Sequence, residues 1–326
     1  MEKVLVTGAG GFIGSHLVEK LVQKGYKVKA FVRYNSKNSW GWLENSKYKN
    51  NIELVLGDIR DADIVRQAML KVDTVFHLAA LIGIPYSYVS PEAYVETNIK
   101  GSLNIFQAAK DFGVKRIVHT STSEIYGSAQ SVPINEKHPV NPQSPYAASK
   151  SSADFLSLSF FRSFDLPVVI VRPFNTYGPR QSARAVIPTV ITQILSGNKT
   201  IKLGALDPTR DLTYVEDTVD GFICAGMVKA GAGEIINLGN NCEISIRDLT
   251  YLIAKIMDVK ITIKEDIKRV RPKKSEVDRL MADNSKAKKL LKWSPVHSLE
   301  RGLIKTIDWF KEEDRFKLYK SGIYNV

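Results

Sequence analysis

A glycine-rich turn follows the first β-rich run of this chain. Thr7-Gly8-Ala9-Gly10-Gly11-Phe12-Ile13-Gly14 comes directly after Lys3-Val4-Leu5-Val6 and opens the first helix. Gly8 permits the tight turn, Gly11 lets backbone approach a pyrophosphate, and Gly14 lets helix and strand pack closely. Phe12 and Ile13 belong to the same turn. A helix starting there offers unpaired N–H groups and the positive end of its dipole to an anion. A glycine pattern alone also describes an ordinary turn; its place between strand and helix makes it a dinucleotide signature.

The rest of the first half keeps the rhythm that such a site needs. Strands are expected at residues 3–7, 27–32, 52–56, 74–77, 116–121 and 168–172, with helices at 12–24, 61–70, 91–112 and 146–164. This alternation indicates βαβ units: an α/β fold with a doubly wound parallel (Rossmann) sheet covered on both faces. After Pro173 the elements shorten: strands at 200–203, 211–215, 234–238 and 260–263, helices at 185–196, 217–229, 246–257 and 298–311, loops at 177–184 and 204–210. Residues 1–173 are thus expected to form the cofactor domain and residues 174–326 a smaller α/β substrate lobe, with some exchange of chain between them. A cleft between two lobes is a usual ligand site.

Composition excludes several classes. With 326 residues, 44% hydrophobic, the chain can bury one large or two modest cores. Cys224 and Cys242 have no metal-ligand spacing, so no metal is expected and a reducing cytoplasm suits them. No apolar run is long enough to cross a bilayer, and Met1–Lys3 leads straight into the first strand with no signal peptide, so no membrane partner is expected. The net charge of +12 invites a nucleic-acid reading. However, the late basic cluster around Lys268, Arg269, Arg271, Lys273 and Lys274 is interleaved with Asp266, Glu276 and Asp278 and carries no nucleic-acid motif. A solvated surface is the plain reading, with one or two cations left to hold a diphosphate.

Three strand ends refine the cofactor site. The second strand ends in Arg33, where an NAD site usually places an acid for the ribose 2′-hydroxyl. Arg33, with Ser36 or Lys37, suits a 2′-phosphate by charge and bidentate hydrogen bonds, which favours NADP over NAD. Asp58 and Ile59 after the third strand are placed for the adenine edge; Asp58 equally reads as a helix N-cap. Leu78, Ala79 and Ala80 after the fourth strand let backbone lie against the cofactor.

Tyr146 and Lys150 share one helix face. A free phenol, with pKa ~10, is a poor base at neutral pH, and bringing it to neutrality takes about 4 kcal/mol. A neighbouring ammonium and a positive nicotinamide ring both favour the phenolate. An isolated Tyr-x-x-x-Lys is usually an ordinary helical pair; the glycine loop upstream overturns that reading here. Thr120-Ser121-Thr122-Ser123-Glu124-Ile125-Tyr126-Gly127 closes the fifth strand, where a doubly wound sheet presents its chemistry.

On these motifs, together with Asn98, Arg172-Pro173-Phe174-Asn175-Thr176-Tyr177-Gly178-Pro179 and Arg210-Asp211-Leu212-Thr213-Tyr214-Val215-Glu216-Asp217, the chain resembles the extended short-chain dehydrogenases/reductases that act on nucleotide sugars. The resemblance covers nearly the whole chain. Within that family, epimerases usually carry small or neutral residues at the positions of Ser123 and Glu124. The 4,6-dehydratases carry a Glu, preceded by Asp in the dTDP-glucose type or Ser in the GDP-mannose type. Thr122-Ser123-Glu124 looks like the second pattern. Asn38-Ser39-Trp40-Gly41-Trp42-Leu43 and Ala80-Leu81-Ile82-Gly83-Ile84-Pro85-Tyr86 are similar to dehydratases of the legionaminic-acid type, which act on nucleotide-linked N-acetylglucosamine.

The resemblance implies that Tyr146 takes the C4 hydroxyl proton beside Thr122, and that Glu124 takes the C5 proton before water leaves C6. With Ser123 in place of Asp, the proton to the leaving hydroxyl comes from Glu124 itself or through a water relayed by Ser123. It also implies Asn175, Arg184 and Arg210, with Arg271 from the basic stretch, on the substrate diphosphate, and a homodimer through helices 91–112 and 146–164. A 4-epimerase would share these binding residues without needing Glu124. A simple reductase would need net cofactor turnover, and a non-catalytic module would tolerate loss of the Tyr–Lys pair.

Overall fold

The computed structural model describes residues 2–228, 231–320 and 324. Seven parallel strands make the main sheet: β1 (Lys3–Thr7), β2 (Lys27–Arg33), β3 (Ile52–Gly57), β4 (Thr74–His77), β5 (Arg116–Thr120), β6 (Val168–Pro173) and, later in the chain, β10 (Ile235–Leu238). Their order across the sheet is β10-β6-β5-β4-β1-β2-β3. The order reverses between β1 and β4, where Val4 lies opposite Thr74. Ligands of doubly wound sheets lie outside the strand carboxyl ends at such a reversal.

Except at the edge strand β3, the strands are buried on both sides, as their continuous apolar runs require. In β1, Val4 and Val6 join one core with Leu17, Leu21 and Phe222, while Leu5 joins the other with Val75, Ile105, Phe106 and Phe160. Helices Phe12–Gln23 and Val215–Met227 pack together on the first face; Ala62–Met69, Gly101–Asp111 and Pro145–Phe164 cover the second. The expected end of the 217–229 helix lies outside the described residues.

The predicted helix 91–112 is three pieces. Pro91–Tyr94 is α-helical, Val95–Lys100 forms a π-helical turn, and Gly101–Asp111 resumes the α-helix. The wide turn carries Asn98, which is fully buried. Its side chain accepts from Leu81 N and donates to Leu81 O and Ser149 Oγ, at 2.8, 2.9 and 2.9 Å. Such bulges gather at functional sites.

The strand expected at 234–238 in the smaller lobe instead extends the main sheet, with Ile235 opposite Ile170. Hydrophobic periodicity cannot tell which sheet a short strand joins. The second half also supplies β7 (Asn175–Tyr177), β8 (Thr200–Leu203), β9 (Thr209–Tyr214), β11 (Glu243–Ser245) and β12 (Thr262–Glu265). They form two small sheets, β11-β9-β7 and β12-β8. Among the described residues no helix is long and apolar enough to cross a membrane, and no group of His, Cys, Asp and Glu could hold a metal ion.

Candidate active site

The glycine turn is built so tightly that side chains cannot enter it. Gly8 has φ +69°, and a Cβ there would lie 2.9 Å from Ala79 N. A Cβ on Gly14 would lie 2.2 Å from Gly8 O, whereas one on Gly11 would meet the same oxygen at a milder 3.2 Å. Thr7 Oγ1 ties the turn to β4, accepting from Leu78 N and Ala79 N, each at 3.1 Å. No side chain caps the helix that begins after Gly11, so its first N–H groups remain available to an anion. This bare cradle, with Phe12 and Ile13 at the helix start and Leu78-Ala79-Ala80 opposite, fits a dinucleotide pyrophosphate. A wall that the motif did not announce closes its outer side. Trp42 N donates to Gly10 O at 3.0 Å, and Gly10 and Gly41 touch through backbone with no room for a Cβ on either. The Trp42 ring meets Trp309 of the helix Leu299–Lys311 edge-on at 5.5 Å.

At the neighbouring strand ends, Arg33 is exposed and Asp58 is gripped by Arg60, Nε to Oδ1 at 3.0 Å and Nη2 to Oδ2 at 2.7 Å. That fork, with Arg33 contributing, holds the Asp58 carboxyl below its ordinary value. Asp58 is not the helix N-cap: Asp61 takes that place, accepting from Asp63 N and Ile64 N. The Ile59 side chain is buried beneath Gly101, where a Cβ would come within 2.6 Å of it. A contact of Ile59 with a cofactor would therefore use its backbone.

Thr122, Tyr146 and Glu124 converge beyond the end of β5. Thr122 caps a short 3₁₀ turn, Ser123–Tyr126, accepting from Glu124 N at 3.3 Å. Its side chain also hydrogen-bonds the Tyr146 phenol. Tyr146 and Lys150 stand in the first turns of the helix Pro145–Phe164, which starts on Pro145 after Ser144 accepts from Ala147 N. Thr122, Ser123, Glu124, Tyr146 and Lys150 are all buried.

Burial sets the charges. It pulls the Lys150 ammonium down to about 8, with Asp154 opposing. It pushes the Tyr146 phenol well above its ordinary value; the Thr122 hydrogen bond lowers it, and the charges of Glu124, Tyr94 and Asp154 raise it. The expectation that Lys150 brings the phenol toward neutrality is therefore not met by the protein's own groups. Desolvation leads that rise, and nearby carboxylates add to it.

The substrate candidates divide between two walls. Arg184 lies against Gly83 and Tyr94: a Cβ on Gly83 would stand 2.7 Å from its Nη1, and its charge acts on the Tyr94 hydroxyl. Arg210 and Arg271 meet on the other wall through Glu276, a partner not foreseen. Glu276 Oε1 accepts from Arg210 Nη2 at 3.1 Å and Arg271 Nη1 at 3.5 Å. Burial lowers the Arg210 guanidinium, and the charge of Glu124 raises it. Asn175 Oδ1 is buried without a hydrogen-bond partner. The segment carrying Glu276 is tied to the first half of the chain: Ser275 Oγ meets Tyr88 Oη at 2.6 Å and donates to Gln143 O at 2.5 Å.

A glycine cradle at the first strand and a Tyr–Lys pair at the carboxyl ends of a seven-stranded parallel sheet define a short-chain dehydrogenase/reductase of the extended, nucleotide-sugar kind. More narrowly, the chain belongs to the GDP-mannose 4,6 dehydratase family, whose sequence model matches residues 5–306. UDP-glucose 4-epimerase of Mycolicibacterium smegmatis is 33% identical over 96% of this chain and 100% of its own length. The dTDP-glucose 4,6-dehydratase of Streptomyces antibioticus is also 33% identical, over 95% of this chain and 92% of its own. The structure of Bacillus cereus UDP-glucuronic acid 4-epimerase, in complex with UDP-glucuronic acid and NAD, superposes with a TM-score of 0.86 at 31% identity, covering 97% of this chain and 100% of that one. Relatives thus include dehydratases and epimerases at the same distance.

Proposed function

We propose that this chain is a nucleotide-sugar 4,6-dehydratase, converting a UDP- or GDP-linked N-acetylglucosamine to its 4-keto-6-deoxy product without net cofactor turnover. One observation carries the reading. Glu124 is a buried carboxylate on the turn that ends β5, beside the Thr122 hydroxyl that bonds Tyr146. An epimerase has no task for such an acid.

Gly8, Gly11, Phe12, Ile13, Gly14, Leu78, Ala79 and Ala80 would hold the dinucleotide, with Arg33, Asp58 and the Ile59 backbone at its adenosine end. When bound and oxidised, a nicotinamide dinucleotide supplies a two-electron acceptor and a positive ring that favours the Tyr146 phenolate. Tyr146 takes the C4 hydroxyl proton, Thr122 fixes the same oxygen, and the Lys150 ammonium stabilises the phenolate. Once C4 is a ketone the adjacent C5 hydrogen is acidic, and Glu124 removes it as hydroxide leaves C6. The two electrons withdrawn from C4 would then return to C6 as hydride while C5 takes a proton, giving the 4-keto-6-deoxy sugar with the dinucleotide unchanged. The proton for that leaving group returns from Glu124 or through Ser123 and a water. Asn175, Arg184, Arg210 and Arg271 grip the substrate diphosphate.

The same reading makes NADP the preferred dinucleotide, from Arg33 at the end of β2. It divides the labour between residues 1–173 for cofactor and 174–326 for nucleotide sugar. It places the enzyme in the cytoplasm, which two free cysteines suit, and makes it a homodimer.

A 4-epimerase is the second reading. Ser123 favours it, because no second carboxyl group stands next to Glu124 on the turn to protonate a leaving hydroxyl. The deciding experiment incubates the enzyme with UDP-, GDP- and dTDP-sugars in deuterated water and reads products by mass spectrometry. Loss of water with deuterium at C5 is expected. Unchanged composition with inverted C4 would replace dehydration by epimerisation.

A further inference from the structure

One turn beyond Lys150 on the same helix lies Asp154, 1% exposed. A bare carboxylate at that depth costs several kcal/mol unless it is paired. Its two oxygens are treated unequally. Oδ2 accepts from Ser121 Oγ at 2.7 Å and from Arg172 Nε and Nη2 at 3.2 and 3.1 Å. Oδ1 has no aligned donor; it faces His119 Nε2 at 3.2 Å without hydrogen-bond alignment. Burial drives His119 below its ordinary value, and the same holds more strongly for His77, which stacks on it at 5.6 Å. Neither imidazole therefore brings a cation to Oδ1.

Residues four apart on a helix are neighbours, and Lys150 and Asp154 both point into the protein. Besides Tyr146, the titratable groups among the described residues that act on Lys150 or feel its charge include Asp154 on its own helix, His77 at the end of β4 and His119 on β5. Arg172 on β6 faces Asp154 from the far side. Asp154 is thus the carboxylate, one helical turn away, whose field raises the buried ammonium.

We propose that Asp154 is the counterion of Lys150, a positioning residue that keeps the ammonium charged beside Tyr146 although it touches neither substrate nor cofactor. The proposal rests on the Tyr146–Lys150 reading given above. The arrangement divides one carboxylate: Oδ2 is neutralised by Arg172, and Oδ1, which meets the uncharged His119 ring, keeps its charge for the field at Lys150.

The test measures the Lys150 proton directly in the full chain. Trace acetylation with acetic anhydride across neutral to alkaline pH, read by peptide mass spectrometry, gives the pH at which Lys150 becomes a free amine. In Asp154→Asn this midpoint should fall by about one pH unit. Asp154→Glu should restore it, and Ser121→Ala, which removes a donor and no charge, should leave it in place. Should Asp154→Asn fail to fold with Arg172 unpaired, Asp154→Asn/Arg172→Gln removes both charges and should move the midpoint the same way by less. A midpoint unmoved in whichever of these folds, or moved equally by Ser121→Ala, overturns the proposal. The alkaline limb of turnover should follow the midpoint. A shifted midpoint with an unshifted limb would leave the counterion standing and remove Lys150 from the catalytic reading instead.

Discussion

The Tyr94 ring meets the Tyr146 ring edge-on, centroids 6.3 Å apart, and the Tyr94 hydroxyl donates to the Gly83 carbonyl. Tyr94 is fully buried, so it is the wall that keeps water from the phenol on that side. Tyr94→Ala should cost about 3–5 kcal/mol in stability. It should also admit water to Tyr146, lowering the phenol's pKa and moving the acid limb of kcat to lower pH. Tyr94→Phe keeps the wall and should leave most of that limb in place. Thermal unfolding and kcat against pH check both outcomes.

The Lys150 ammonium gives a second pH signature of opposite sense. If the charged form supports catalysis, kcat should decline as pH rises through about 8. Stability moves the other way. The folded-state value is depressed, so the unfolded chain binds more protons between about 8 and the ordinary 10.5, and stability rises with pH across that window. Lys150→Met should therefore lower kcat by about 10²-fold or more. It should stabilise the fold at neutral pH by up to about 3 kcal/mol, less what Asp154 loses with its partner. Denaturant unfolding alongside turnover measures the trade.

Glu124→Gln keeps the volume and removes the base. Oxidation at C4 uses Thr122, Tyr146 and Lys150 and should survive, so absorbance of reduced cofactor should build up on mixing with substrate. Elimination of water should slow by about 10²–10⁴-fold. Near-normal elimination in this variant would remove Glu124 from the reading.

The main sheet was legible because βαβ units repeat one pattern: apolar runs of strand length, then amphipathic helices, with a glycine turn at the first crossing. Residues 3–7 and 74–77 are strands to the residue. What escaped notice depends on partners distant in the chain. β7 has only three residues and exists because Asn175 lies opposite Leu212. Glu276 became part of the site by reaching Arg210 across 66 positions of sequence. Asp154 did leave a trace: Tyr146, Lys150 and Asp154 repeat at four-residue spacing, a polar seam on a helix that also carries Phe155, Phe160 and Phe164. Periodicity announces the seam but not that it faces inward.

On the proposed function, the charge of Arg33 at one strand end sets the cofactor preference. With no acid there to bond a ribose 2′-hydroxyl, NADP should bind more tightly than NAD. Arg33→Asp should reverse that order by repelling the 2′-phosphate. Asp58 is already engaged by Arg60 and does not compensate. Titrations of both oxidised dinucleotides against the two proteins check this; tighter NAD binding by the unaltered chain would end the NADP assignment.

On the second helical layer, Phe155 is 61% exposed, with Leu103 38% and Val95 49% exposed on the adjacent helical segments. Isolated exposed apolar residues need no explanation, but Phe155 beside a second exposed apolar segment fits a self-complementary surface. A two-fold interface there would bury them and brace the helix that carries Tyr146 and Lys150. Phe155→Glu places a charge in that surface on both subunits at once. The unaltered chain should sediment as a dimer and Phe155→Glu as a monomer, with the variant's unfolding temperature lower and dependent no longer on protein concentration. A monomeric unaltered chain would assign these residues to solvent and leave the active site complete within one subunit.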